Sequence, residues 1–230
     1  MASEPVLLLT ATIDPKGCYY LKRRSVSKRL VDYEAALSRW IESGAVSKII
    51  WCENSGYCLD SIHDIVNATS RQRRQRIRVQ SFEGNTYPRR LGKGFGEMGI
   101  ISHAMSTNPA RDPHQLIIKV TGRYYVSNLP AILAAVEAGE HADIVCNLND
   151  ADQTADSRCF LARREFITAH LLPRHSLIND SKGVYFEHVL AAAVLSSVKH
   201  GLRWRPFPAE PRIEGISGTL NLPYATPALR

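Results

Sequence analysis

Short apolar runs alternate with helically spaced apolar residues at the start of the chain. The runs at 6–12 and 48–52 are continuous, which is typical of strands buried on both faces of a parallel sheet. Between them, residues 29–43 carry apolar side chains at a spacing of three or four, and Gly44 follows as a stop signal. This order of strand, helix and strand predicts the first unit of an α/β fold.

The same alternation continues to residue 200. The pattern predicts helices at 59–68, 94–106, 129–138, 163–172 and 188–200, and strands at 76–82, 116–120 and 142–148. Strands that alternate with helices indicate a mainly parallel central sheet with helices on both faces. Because no repeat or linker divides the chain, we predict a single Rossmann-type α/β domain over 1–230, with an extended, proline-rich tail at about 202–230.

Composition fits an ordinary globular protein. Hydrophobic residues make up 44% of the 230 residues and charged residues 22%, so a core of normal size can form. No apolar run approaches the roughly 18–20 residues of a membrane span, and the run at 6–9 is too short for a signal peptide. We therefore expect a cytoplasmic protein. Five scattered cysteines without a Cys-x-x-Cys pair indicate free thiols rather than a disulfide framework or a zinc site.

The chain is basic, with a formal net charge of +7. This charge favours an anionic partner, which can be a nucleotide phosphate, an anionic membrane surface or a nucleic acid. A basic run at 71–76 is either a solvated face or a peripheral contact with an anionic membrane. Nucleic acid is the less favoured partner, because no helix-turn-helix, zinc module or interleaved aromatic pattern accompanies the run.

A glycine-rich segment at 94–99 matches the dinucleotide-binding pattern Gly-x-Gly-x-x-Gly. That fingerprint requires a strand running directly into it, and the nearest predicted strand ends near residue 82, so an oxidoreductase is disfavoured. A glycine-rich loop that leads into a helix can still contact phosphate, or it can be a plain turn. Lys93 and Glu97 lie in this predicted loop and are candidate site residues.

The most informative stretch is 119–128. Lys119 lies in a predicted buried strand, Gly122 forms a sharp turn that presents Arg123, and aromatic and apolar residues follow up to Asn128. Polar side chains at the carboxyl end of a parallel strand lie where open α/β sheets bind ligands. The alternative is a buried strand that ends in a solvated turn.

This stretch resembles the strand of GT-A glycosyltransferases that bears the Asp-x-Asp motif. As in the fringe-like and β-1,3-galactosyltransferase families, apolar residues and Lys119 precede a triplet, and an aromatic and apolar group with an asparagine follows it. The sequence is also similar to bacterial glycosyltransferases of surface-polysaccharide loci that carry Lys-x-Thr-Gly-Arg-Tyr. That second similarity extends to short blocks at 8–13, 53–56 and 92–94.

The triplet itself departs from the GT-A pattern, because Thr121-Gly122-Arg123 replaces the acids. In the family, those acids hold a divalent cation that neutralises the departing diphosphate of the donor. A site without them needs another positive charge, which Arg123 can supply bidentately and which Lys93 or Lys119 can assist. We therefore expect a nucleotide-sugar transferase that uses no bound metal.

Two acidic segments follow the strand predicted at 142–148. Asp150-Ala151-Asp152 is a competing Asp-x-Asp, and it is either an exposed acidic loop or a metal site. In the GT-A pattern this loop faces the donor sugar, so we favour sugar contacts, with Asp156-Ser157-Arg158 binding donor or acceptor hydroxyls.

The segment 180–188 opens the last predicted helix. It resembles the GT-A element in which an acid at a helix start is the catalytic base of inverting enzymes. An inverting transfer needs one carboxylate that accepts the proton of the acceptor hydroxyl, and we assign this role to Glu187. The alternative is that Glu187 only stabilises the positive end of the helix. His188 is a neighbour or a second candidate for the base.

Together these segments predict an inverting, metal-independent glycosyltransferase of bacterial surface-polysaccharide synthesis. Its donor is a nucleotide-diphosphate sugar, its acceptor is a glycan or a lipid-linked glycan, and Glu187 and Arg123 are its catalytic candidates. The alternatives are a nucleotidyltransferase and a basic nucleic-acid-binding module. In the tail, Gly215 to Thr219 can bind phosphate or form a plain turn. The candidate donor ligands are Thr10, Asp14, Glu53, Asn54, Lys93, Glu97, Lys119, Arg123, Asp156, Ser157, Arg158 and Ser217.

Overall fold

A seven-stranded sheet forms the centre of the protein. The computed structural model describes residues 4–18, 20–70, 75–110 and 112–224, so 71–74 of the basic run lie outside the described residues. The strands of the described chain are β1 (Val6–Ala11), β2 (Lys48–Glu53), β3 (Arg76–Ser81), β4 (Leu116–Thr121), β5 (Tyr125–Val126), β6 (Ile144–Val145), β7 (Leu148–Asn149), β8 (Thr154–Ala155), β9 (Cys159–Arg163), β10 (Trp204–Arg205) and β11 (Ile213–Glu214). Its α-helices are α1 (Val26–Ser43), α2 (Asp60–Ser70), α3 (Gly92–Thr107), α4 (Leu129–Ala138) and α5 (Phe186–Lys199).

The strand order of the main sheet is β10-β6-β9-β4-β1-β2-β3. All neighbours pair in parallel except β9, which runs antiparallel to both β4 and β6. The registers of β1 place Thr10 opposite both Cys52 of β2 and Thr121 of β4. Three parallel strands therefore end side by side, and the loops that follow them meet at one edge of the sheet.

Helices cover both faces of the sheet, as predicted. The alternate residues of β1 point to opposite faces, so Leu8 belongs to a core with α3 and α5, while Leu9 belongs to a core with α1 and α4. Ser25 caps the start of α1 through its side chain, and Gly44 ends the helix with a φ of +61°. No helix in the described part of the chain is long and apolar enough to cross a membrane.

Two predicted elements differ in the structure. The helix predicted at 163–172 is wrong in part, because β9 occupies Cys159–Arg163 and the turns after it are a π-helix at Phe166–Leu171 and a 3-10 helix at Leu172–Leu177. The strand predicted at 142–148 is reduced to the two residues of β6, and β7 then begins a separate hairpin with β8. In both places the pairing of β9 between β4 and β6 decides the local structure.

The C-terminal tail is built into the structure by strand pairing. β10 joins the edge of the main sheet beside β6, and β11 pairs antiparallel with β5, just after the turn that contains Arg123. Ser217 N donates to Leu222 O over 2.8 Å and thereby closes a loop. The described part of the tail, residues 202–224, therefore returns to the carboxyl edge of the sheet.

Candidate functional site

A pocket opens at the carboxyl ends of β1 and β4. Four of the candidate donor ligands line it, namely Thr10, Lys93, Glu97 and Arg123. The other lining residues are Thr12, Pro15, Cys18, Leu21, Arg29, Tyr33, Asn85, Tyr87, Ile100 and Thr121. The pocket therefore lies where the sheet topology directs a ligand, and it combines cations, hydroxyl groups and aromatic rings.

Glu97 joins three elements at the floor of this pocket. Its Oε1 accepts hydrogen bonds from Thr10 Oγ1 of β1 at 2.8 Å and from Thr121 Oγ1 of β4 at 3.0 Å, and it contacts Lys119 Nζ at 2.5 Å. Burial opposes ionisation of the carboxyl, but Lys119 and the hydroxyl donors outweigh this effect and hold the pKa of Glu97 below its ordinary value. Glu97 is therefore an anion that fixes the strand ends.

Lys119 is completely buried, although it carries a charge-bearing side chain. Besides its ion pair with Glu97, Nζ donates to Ser157 O at 2.5 Å, and it lies 5.9 Å from the ring centre of Phe160 and 5.8 Å from that of Phe186. Because Lys119 and Glu97 neutralise each other, Lys119 does not contribute a free positive charge to the pocket. It connects β4 to the segment that carries Ser157.

Arg123 occupies the turn immediately after β4. Gly122 makes that turn possible, because its N–H donates to Thr10 O at 2.8 Å and a Cβ there would lie 2.9 Å from the same oxygen. The guanidinium Nη2 donates to Tyr124 Oη at 3.2 Å, whereas Nε is buried without a hydrogen-bond partner among the described residues. Burial lowers the pKa of Arg123, but Tyr124 and Tyr33 outweigh it and raise the pKa above its ordinary value. Arg123 is thus a cation that lines the pocket without an ion-pair partner among the described residues.

Sequence patterns missed the residues that shape the loop after β1. Arg29 Nε donates to Thr12 O at 2.9 Å and to Ile13 O at 3.2 Å, and Tyr33 Oη accepts from Thr12 N at 3.0 Å. Arg29 and Tyr33 are four residues apart on α1, so they share one helix face. That spacing is the one signal in the sequence, but it equally fits a helix face packed in the core.

Of the candidate donor ligands near the end of β2, Glu53 makes its hydrogen bonds to other groups of the protein. Its carboxylate accepts from Ile13 N at 3.0 Å, Ser55 N at 2.8 Å and Ser81 Oγ at 3.1 Å, and the residue is fully buried. Glu53 does not line the pocket. It instead organises the loops that follow β1 and β2, because one carboxylate satisfies donors from both.

Asn54 and Asp14 lie behind the pocket wall. Asn54 Oδ1 accepts from Thr12 Oγ1 at 2.7 Å, so it positions a side chain that lines the pocket. The backbone carbonyl of Asp14 accepts from Asn85 Nδ2 at 2.9 Å, which draws the loop containing Asn85 to the same wall. Neither Asn54 nor Asp14 is itself a lining residue.

The C-terminal tail covers one side of the pocket. Gly218 packs against the guanidinium of Arg123, where a Cβ would lie 2.6 Å from Nη2, and Lys93 Nζ donates to Thr219 Oγ1 at 2.6 Å. Ser217 is buried beside Tyr224, with 3.5 Å between their side-chain oxygens. The tail therefore brings hydroxyl and glycine residues to Lys93 and Arg123, two of the three cations that line the pocket.

The side chains of the segment at 156–158 make two separate sets of contacts, one with the tail and one with α5. Asp156 and Arg158 form an ion pair of 2.6 Å, and Arg158 lies 4.9 Å from the ring centre of Tyr224 in the tail. Ser157 is buried and donates from Oγ to Glu187 Oε1 at 2.7 Å. Through Ser157, the α5 candidate Glu187 is linked to Lys119 and hence to the floor of the pocket.

Glu187 lies in the first turn of α5, which begins at Phe186 and therefore two residues earlier than predicted. His188 Nδ1 accepts from the backbone N–H of Tyr185 at 3.2 Å, so the histidine caps the helix. Asp180 is a second acid in this region: burial, together with the negative charge of Glu187, raises its pKa to about 6 despite the nearby Lys93. Two carboxyl groups thus lie beside the pocket edge.

The glycine-rich segment is helical rather than a loop. α3 begins at Gly92 and includes 94–99, so Lys93 and Glu97 occupy its first two turns and the predicted loop is wrong. The glycines allow close packing: a Cβ on Gly94 would lie 2.7 Å from Phe186 Cβ, and one on Gly96 would lie 2.4 Å from Tyr87 Oη. Helix packing, not a phosphate loop, explains this pattern.

We expect Gly92→Ala to lower the free energy of unfolding by about 1–3 kcal/mol more than Gly17→Ala. Both glycines have a positive φ, +82° and +78°, so alanine strains the backbone at each. Only at Gly92 would the new Cβ also collide with a side chain, that of Asp180 at 1.8 Å, whereas nothing lies within 4 Å at Gly17. Urea denaturation of both variants measures the difference, and equal losses would show that Asp180 moves freely.

The competing acidic motif lies on a surface hairpin. Asp150 and Asp152 are exposed between β7 and β8, and Asp152 Oδ2 accepts from Asn149 Nδ2 at 2.7 Å. Within the described residues, no group of three or more His, Cys, Asp or Glu side chains could hold a metal ion. Beside the Thr121–Arg123 turn, Glu97 Oε1 is occupied by Lys119, Thr10 and Thr121.

Comparison with solved structures identifies the fold. The chain is similar to a protein assigned as a nucleotide-diphospho-sugar transferase from Desulfovibrio desulfuricans G20, with a TM-score of 0.50 and 11% identity over 90% of this chain and 80% of that one. A cytidylyltransferase from Leptospira borgpetersenii serovar Hardjo-bovis matches with a TM-score of 0.48 and 11% identity over 90% of this chain and 77% of that one. No protein family and no curated protein matches the sequence. The chain therefore has a Rossmann-like α/β fold with a mainly parallel central sheet, as predicted.

Proposed function

We propose that this protein is a glycosyltransferase that uses a nucleotide-diphosphate sugar and no bound metal ion. Its acceptor is a glycan or a lipid-linked glycan, and its reaction belongs to bacterial surface-polysaccharide synthesis. The fold supports a nucleotide-sugar site, and the motif Lys-x-Thr-Gly-Arg-Tyr supports the class of acceptor. The details of the pocket support the absence of a metal.

The observation that carries this proposal is the state of Arg123. Among the described residues Arg123 forms no ion pair with a carboxylate, and its guanidinium makes one side-chain hydrogen bond, from Nη2 to Tyr124 Oη at 3.2 Å. The side chain lies at the carboxyl end of β4 and lines the pocket. A diphosphate in the pocket would neutralise this cation, and a planar guanidinium suits the paired oxygens of a phosphate group.

In the proposed reaction, an acceptor hydroxyl oxygen attacks the anomeric carbon of the donor sugar. The bond between that carbon and the β-phosphate oxygen breaks, and its electron pair stays on the nucleotide diphosphate. Glu187 accepts the hydroxyl proton, and Arg123 stabilises the negative charge that grows on the leaving oxygen. Attack from the face opposite the leaving group inverts the configuration at the anomeric carbon.

The nucleotidyltransferase alternative receives less support from the pocket. Such an enzyme uses a divalent cation held by carboxylates to transfer a nucleotidyl group. Among the described residues that line the pocket, Glu97 is the single carboxylate, and its Oε1 is already bonded to Lys119, Thr10 and Thr121. A carboxylate paired in this way is a weak metal ligand.

We expect the affinity for the preferred nucleotide diphosphate to change by less than about threefold when EDTA is added, which is under roughly 0.7 kcal/mol. The reason is that Arg123 supplies the charge that a metal would otherwise supply. Calorimetric titration with UDP, GDP, CDP and CMP, each with and without EDTA, measures this change. Asp150→Asn/Asp152→Asn is the matched variant and should bind the same nucleotide equally well.

Three results would go against the proposal, one from this titration, one from an activity assay and one from a nucleic-acid binding assay. A tenfold loss of affinity of the wild-type protein with EDTA, matched without EDTA in the Asp150→Asn/Asp152→Asn variant, would make those acids metal ligands. Turnover of a nucleoside triphosphate with a sugar phosphate, with release of pyrophosphate, would identify a nucleotidyltransferase. Weak binding of every nucleotide, together with tight and salt-sensitive binding of nucleic acid, would identify a nucleic-acid-binding module.

A further inference from the structure

Exposed apolar and basic side chains lie together beside the mouth of the pocket. Leu21 is buried and lines the pocket, whereas its neighbours Tyr20 and Lys22 point outward, with Tyr20 66% exposed. A bulky side chain left exposed beside a ligand site marks a contact surface more often than an isolated exposed leucine does. The loop that follows β1 therefore has an inner side for the ligand and an outer side with a different role.

The C-terminal tail extends this outer side. Gly218 O accepts hydrogen bonds from the N–H groups of Lys22 and Arg23, each at 3.0 Å, and Arg23 Nη1 donates to Asn221 Oδ1 at 3.2 Å. These bonds hold Leu220 and Leu222, which are 54% and 60% exposed, against the loop. We define the rim patch by its six exposed members, which are Tyr20, Lys22, Arg24, Lys28, Leu220 and Leu222.

The charge of the rim patch is not neutralised within the described chain. Arg23 pairs with Asp32 at 2.8 Å, and that carboxylate is nine-tenths buried. By contrast, Lys22, Arg24 and Lys28 form no ion pair with a described carboxylate and remain exposed. The patch thus presents three solvated cations around three exposed apolar side chains.

From this arrangement we infer that the rim patch binds the surface of an anionic lipid bilayer and holds the pocket mouth against it. Exposed leucines enter the boundary between headgroups and acyl chains, and lysines and arginines attract anionic headgroups. A single-stranded nucleic acid is the poorer fit, because it needs several aromatic platforms for base stacking and the patch has one tyrosine. The inference agrees with the proposed lipid-linked acceptor, but the binding itself does not depend on any transfer reaction.

The test is co-sedimentation of the full chain with vesicles of phosphatidylglycerol and phosphatidylcholine, and with vesicles of phosphatidylcholine alone. We expect binding to the anionic vesicles and at least tenfold weaker binding to the neutral ones. Lys22→Gln/Arg24→Gln should weaken vesicle binding about 25-fold, because each cation near an anionic surface contributes about fivefold. Leu220→Ser/Leu222→Ser should weaken it at least about tenfold.

Two control variants remove similar groups elsewhere. Leu195→Ser/Val198→Ser changes an exposed apolar pair on α5, and Arg76→Gln/Arg78→Gln changes two exposed cations on β3, beside the basic run. Both should keep vesicle binding within about twofold, and melting curves check that all variants fold. Equal losses in the β3 variant, or binding of single-stranded RNA instead of vesicles, would overturn the inference. Normal nucleotide binding without vesicle binding would reject only the inference that the rim patch binds membranes. Vesicle binding without nucleotide binding would reject only the proposed nucleotide site.

Discussion

Glu187→Gln is expected to lower turnover by about 10²–10⁴-fold while the affinity for the nucleotide diphosphate stays nearly unchanged. The amide keeps the size of the side chain and can still accept the hydrogen bond from Ser157 Oγ, which is 2.7 Å from Glu187 Oε1. It cannot accept the proton of an acceptor hydroxyl. Steady-state kinetics and calorimetric titration of the same preparation separate the loss of turnover from any loss of donor binding.

The control for this variant is Glu137→Gln, which changes an exposed glutamate on α4 and should leave turnover within twofold. If Glu187→Gln keeps activity within a few fold, Glu187 only stabilises the start of α5. In that case Asp180 is the next carboxyl group to test, because its pKa of about 6 leaves it ionised at neutral pH and close to the value that favours a general base.

The central strands were predicted from sequence because their pattern is local and strong. β1 and β2 are continuous apolar runs, and their burial on both faces of the sheet confirms the basis of the prediction. Strand β9 was missed for the opposite reason. It has five residues and ends at the charged Arg163, just before Arg164. It is a strand because it pairs with β4 and β6, which are not adjacent to it in the sequence. The local pattern of apolar and polar residues does not reveal a pairing with strands elsewhere in the chain.

The candidate site, too, was predicted from sequence only in part. Lys93, Glu97 and Arg123 were candidates because charged residues next to glycines or at strand ends are conspicuous in a sequence, and the structure brings these three to one pocket. Asn85 and Tyr87 line the same pocket, yet they lie in a loop whose sequence has no periodicity. Their position follows from long-range contacts, such as the hydrogen bond of Asn85 Nδ2 to Asp14 O at 2.9 Å.

The roles of the candidate residues were harder to predict than their location. Lys119 looked like a free cation for the diphosphate, but its ion pair with Glu97 makes the two residues a neutral support for the strand ends. Glu53 looked like a donor ligand, but its carboxylate is occupied by donors from two loops. The sequence shows which side chains are charged, but only the structure shows which groups pair with those charges.

Arg123→Ala is expected to cost about 2–4 kcal/mol of transition-state stabilisation, measured as the change in kcat/KM. The physical reason is that negative charge on the leaving oxygen grows as the donor bond breaks, so the guanidinium contributes more in the transition state than in the bound donor. Turnover should therefore fall together with donor affinity. Arg212→Ala removes an exposed arginine of the tail and is the control, with kinetics expected to stay within twofold.

The comparison of Arg123→Ala with Arg123→Lys tests the metal-free diphosphate site most directly. Lysine keeps the positive charge but lacks the planar pair of donors, so Arg123→Lys should recover only part of kcat/KM. Melting curves of both variants show whether each remains folded. The account predicts a graded loss, largest for alanine and intermediate for lysine, in enzyme treated with EDTA. Two variants with near-wild-type kcat/KM, and stability changes within about 0.5 kcal/mol, would instead show that Arg123 is an ordinary turn residue.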